Sequence, residues 1–90
     1  MAGTTTADFL KWEKKAQVSF LQVSISMAAV IAAQAKPKIA SCLNDWYYKT
    51  KALQIQRQNE ILQVMPNYKK YDPTAVLLGY IESACGKFGN

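Results

Sequence analysis

Ninety residues make at most one small domain. Half of them are apolar and 19% are charged, which excludes an ordinary disordered chain. The net charge is +5, and there is no histidine, so histidine-based zinc sites, Ser-His-Asp and Cys-His triads and a histidine pH switch are excluded.

The basic residues are ten lysines and one arginine, Arg57. Arginine is the usual bidentate reader of phosphates and bases, so a lysine-rich, arginine-poor excess points to solubility or a general attraction to anionic surfaces. Met1 to Thr6 is small and polar and reads as a loose end. Thr5 followed by Asp8 is a helix-start signal, with a carboxylate near the positive helix end. No glycine or proline interrupts the chain from there to Lys36, which predicts a first helix over residues 7–35.

Residues 16–35 carry no charge, and twenty helical residues span about 30 Å, the thickness of a bilayer core. Lys14 and Lys15 precede this stretch; Lys36 and Lys38 follow it. Three readings compete. Apolar side chains all round a helix imply neighbours on several sides, as in a bundle or polymer. A transmembrane helix is the second reading; Ser24, Ala28 and Ala32, and Ala29 and Ala33, place small residues at every fourth position. Against it, Gln17, Ser19, Gln22, Ser24, Ser26 and Gln34 are polar. The third is an export signal ending at Ala33-Gln34-Ala35, although Asp8 and Glu13 make its leading region atypical. The buried helix is the preferred reading, packing through Phe20, Leu21, Val23, Ile25, Ala28, Val30, Ile31 and Ala32.

Pro37 breaks the helical pattern, since the residue before a proline avoids helical geometry. A hairpin turn is preferred there over a simple kink. A second, amphipathic helix is predicted over residues 39–65. Residues 66–71 read as a loop, and Asp72-Pro73 as an N-cap followed by proline at the first helical position. The third helix, residues 73–85, ends at Gly86. The expected fold is all-α: a helical hairpin of two long helices with a short C-terminal helix, in one domain over residues 1–90.

Two clusters stand out as candidate interaction sites. Trp46, Tyr47 and Tyr48 adjoin Lys49 and Lys51. Consecutive helical residues spread over about 200°, so these three rings cannot all face one core. Tyr68, Lys69, Lys70 and Tyr71 form a basic, aromatic loop. No two of the six acids lie three or four residues apart, and no glycine-rich phosphate loop is present. No catalytic residue, cofactor site, metal site or small-molecule substrate is indicated, and no enzyme activity is expected.

Cys42 and Cys85 are the only cysteines. Along an unbroken second helix, Cys42 would lie roughly 16 Å beyond the level of Cys85. A disulfide needs its Cα atoms within about 7 Å. Two free thiols are therefore expected.

These residues predict a non-enzymatic structural subunit that packs through its apolar helix into a homo-oligomer or larger, membrane-associated complex. The alternative is a small soluble bundle that binds nucleic acid or an acidic partner through its lysines. Self-association or a protein partner is expected, with a membrane as a further partner; no helix-turn-helix or other nucleic-acid motif supports the alternative. Localisation stays open, with a membrane-associated assembly favoured over the cytoplasm.

Overall fold

The computed structural model describes residues 4–88. The fold is all-α, and no strand occurs among the described residues. Its five α-helices are α1 (Thr6–Phe9), α2 (Lys14–Ala35), α3 (Pro37–Leu43), α4 (Lys51–Val64) and α5 (Pro73–Cys85). A π-helical turn, Asn44–Tyr48, follows α3, and a 3-10 turn, Met65–Tyr68, follows α4. The domain measures 34 × 30 × 19 Å.

Thr5 and Asp8 close α1 with a capping box: the Thr5 hydroxyl accepts from the Asp8 N–H at 3.2 Å, and the Asp8 carboxylate accepts from the Thr5 N–H at 3.4 Å. The first-turn donors that a helix leaves free are also engaged. Thr6 N–H donates to the Tyr71 carbonyl at 2.8 Å, Ala7 N–H to the Lys69 carbonyl at 3.1 Å, and the Thr6 hydroxyl to Tyr71 at 2.8 Å. Thr5 and Thr6 are thus no loose end: Thr5 caps α1, and Thr6 is buried and tied to the loop before α5. Met1, Ala2 and Gly3 lie outside the described residues.

The predicted first helix, 7–35, is interrupted at residues 10–13. Gln17, buried, donates from Nε2 to the Phe9 carbonyl at 3.1 Å, and Trp12 N–H donates to the same carbonyl. Phe9, Trp12 and Phe20 stack around this turn with centroids 5.0 to 6.1 Å apart. The break is therefore made by tertiary contacts, without glycine or proline.

α2 stops where Pro37 requires it: Lys36 takes φ −142° and ψ 73°, and Pro37 opens α3 at its first position. Leu21, Ile25 and Ala32 of α2 share one core with Ile39 and Leu43 of α3, which is compatible with a hairpin whose return arm begins as α3. Phe9, Tyr47, Ile61, Met65, Leu77 and Ile81 complete that core.

The predicted second helix, 39–65, is likewise divided. After the π-helical turn, Thr50 leaves helical geometry at φ −141° and ψ 158°, and its hydroxyl accepts from Leu53 N–H at 3.0 Å. Thr50 is an N-cap in the middle of the expected rod. α5 begins as its sequence requires, with the Asp72 carboxylate accepting from Thr74 N–H at 2.8 Å. Gly86, at φ 102°, carries the chain away from its end.

The expectation of two free thiols is overturned. Cys42 and Cys85 form a disulfide with Cα atoms 5.6 Å apart. The 16 Å offset assumed one straight helix through Cys42 and Leu53. The break at Thr50 removes that constraint, and α3 packs directly on α5.

Candidate interaction site

α2 spans 22 residues and is the one helix among the described residues long and apolar enough to cross a membrane. Only a fifth of its most apolar stretch is buried within the chain. At 100° per residue, Leu21, Ile25 and Ala32 fall on one side and are fully buried. Ala28 lies half-buried on the same inner side, whereas Phe20 falls on the outer side and is half-buried against Phe9 and Trp12. Val23, Met27, Val30 and Ile31 fall on the other side, 66%, 61%, 54% and 49% exposed. The eight packing residues foreseen in the sequence therefore divide between an inner and an outer face. Met27 belongs to the outer strip and was not singled out; its position four residues after Val23 is the signal that could have revealed it.

Gln22 and Ser26 edge the strip, which forms a shallow trough with Val23, Met27 and Val30. Trp12, 39% exposed, packs edge-on against Phe20 at the N-terminal end of α2.

The first aromatic cluster is divided by the π-helical turn. Tyr47 is buried, Trp46 half-buried, and Tyr48, Lys49 and Lys51 are exposed. Gln58, also buried, donates from Nε2 to the Tyr47 hydroxyl at 2.8 Å. Burial pushes the Tyr47 phenol above its ordinary value, against the opposing effect of the Gln58 hydrogen bond. Tyr48 packs edge-on against Tyr47 at 4.9 Å.

Arg57 is engaged inside the fold. It donates to the Trp46 carbonyl, stacks over the Trp46 ring and pairs with Glu60 at 3.1 Å. That is the only ion pair among the described residues. The Glu60 carboxylate also accepts from Gln56 and from the Tyr80 hydroxyl. These donors, Gln56 first, hold its carboxyl below the ordinary value despite partial burial.

Tyr68, Lys69, Lys70 and Tyr71 are all exposed, and the backbone carbonyls of Lys69 and Tyr71 hold α1. Tyr68 and Tyr71 stack edge-on at 5.8 Å and wall an open groove of about 590 Å³. Tyr80 lines the same groove and packs against Trp46 at 5.9 Å, so it bridges the two aromatic clusters. Among the described residues no three of Cys, Asp and Glu gather as metal ligands would.

No protein-family model, curated protein or solved structure matches the chain.

Proposed function

We propose that this chain is a non-enzymatic assembly subunit that packs through the outer face of α2 into a homo-oligomer or larger, membrane-associated complex. The observation that carries the reading is the uncharged outer face of α2. A helix at the surface of a soluble domain usually turns charged side chains outward. Here Val23, Met27, Val30 and Ile31 are the outward residues, and no charge occurs between Lys15 and Lys36.

Two further features support it. The buried polar side chains Thr6, Gln17 and Gln58 are all bonded within the fold, as structural groups are. The Cys42–Cys85 bridge suits an oxidising compartment, on the outer side of a membrane or in a secretory lumen. The alternative, nucleic-acid binding, would rest on lysines alone, because Arg57 is occupied by Trp46 and Glu60.

Light scattering on the oxidised chain without detergent, at low and high salt, tests the reading. A salt-independent oligomer, or a chain soluble only with detergent or lipid, is the expected result. A clean monomer whose nucleic-acid binding disappears with salt points to the alternative.

A further inference from the structure

We infer that the outer face of α2 packs on an anionic lipid surface, with the helix lying flat on the bilayer and the fold intact. The inference rests on α2 being the assembly surface, and it names what that surface packs against.

Spanning the bilayer would require α2 to leave its own core. Leu21, Ile25 and Ala32 would lose the contacts that bury them completely, and Gln17 would release the Phe9 carbonyl. Lying on the surface requires neither. Val23, Met27, Val30 and Ile31 fall within about 100° of one another on the helix, which suits an interfacial helix immersed along one side.

Charge fits the same occupant. Lys11, Lys14 and Lys15 stand at one end of the strip, and Lys36 and Lys38 at the other. None of them pairs with a carboxylate among the described residues. Lys11, Lys14, Lys15 and Lys38 are exposed; Lys14 falls on the Leu21 side of α2 and donates to the Asn59 side chain at 3.2 Å. Glu13 is the lone acid among residues 9–44. A second copy would bring the same lysine-flanked strip, so either direction of pairing sets lysines against lysines. Lipid phosphates at both ends complement them, with an attraction that falls off within a Debye length. Trp12 sits beside these lysines, half in and half out of the domain, where a headgroup-level aromatic belongs.

Lying flat suits so narrow a strip, because each immersed side chain adds its own contribution to partition onto lipid.

The test is co-sedimentation of the full oxidised chain with vesicles, either phosphatidylcholine alone or an equal mixture with phosphatidylglycerol. The double variant Met27→Glu/Val30→Glu is compared with the charge-matched control Gln63→Glu/Asn67→Glu, all four positions being exposed. Circular dichroism and a thiol count confirm that each variant is folded and oxidised. The wild type is expected to bind the anionic vesicles and not the neutral ones. The α2 variant should bind at least about tenfold more weakly than the control, since it loses immersed apolar surface as well as charge. Equal losses in the two variants, or no binding to anionic vesicles, overturns the inference. If vesicles are not bound but the α2 variant dissociates an oligomer formed without lipid, a second copy covers the strip and the assembly reading stands. If neither binding nor oligomeric mass responds to the α2 variant, both readings fall.

Discussion

The Arg57 Nε donates to the carbonyl of Trp46 at 2.9 Å, and the guanidinium carbon lies 5.3 Å from the centroid of the same residue's ring. One side chain of α4 thereby holds the π-helical turn across the break at Thr50. The contact is charge-assisted and combines a hydrogen bond with cation–π attraction. Replacing Arg57 by Ala should cost about 1–2 kcal/mol, measured as a shift in the urea midpoint. Arg57→Lys should recover little, because an ammonium cannot lie flat on the indole while pairing with Glu60.

The buried pair Tyr47–Gln58 is expected to behave asymmetrically. Tyr47→Phe removes the acceptor and leaves the Gln58 amide buried without a partner, at a cost of about 1–3 kcal/mol. Adding Gln58→Leu should return part of that loss, since both polar groups are then gone. A double-mutant cycle in urea checks this; strictly additive losses would show that the two residues are not coupled.

The disulfide should be complete and stabilising. Unfolded, unreduced protein is expected to show no reactive thiol. Reduction should cost about 4 kcal/mol on the chain-entropy estimate for a loop of this length, with sequence separation 43. Urea unfolding with and without reductant measures it, and an unchanged midpoint would remove the bridge from the account of stability.

The pH dependence follows from Glu60. Its carboxyl is held below the ordinary 4.5, so it favours the fold above the unfolded value, and that contribution is lost as pH falls through the folded one. Melting temperatures of the wild type and Glu60→Gln should therefore converge as the solution is acidified below about pH 4.5. At the alkaline end, Tyr80 is raised chiefly by burial, and then by donating to Glu60. Tyr47 and Tyr80 should ionise above 10.0, with their stabilising effect present below that value and lost as pH rises through the folded one. Absorbance titration of Tyr80→Phe and Tyr47→Phe against the wild type detects both.

Local signals were legible where one or two residues dictate geometry. Thr5 with Asp8, Lys36 before Pro37, Asp72 with Pro73, and Gly86 all act where their chemistry places them. The interruption at residues 10–13 was not legible, because Gln17 makes it by reaching the Phe9 carbonyl. Thr50 had a readable capping side chain, but it lies within an otherwise helical pattern. Overlooking that cap made the second helix a rod and separated two cysteines that the fold brings together. The apolar helix was legible as a packing element. Which residues face inward was not, because residues 16–35 are apolar or neutral on every side.

The claim on which the account turns is that the outer face of α2 has a partner. Light scattering on the oxidised wild type and on Met27→Glu/Val30→Glu, each with and without anionic vesicles, tests it most directly. The account predicts that the wild type gains mass by associating with itself or with the vesicles, and that the variant stays a folded monomer near 10.1 kDa in both conditions. A wild type that is itself a folded 10.1 kDa monomer with and without vesicles would contradict it.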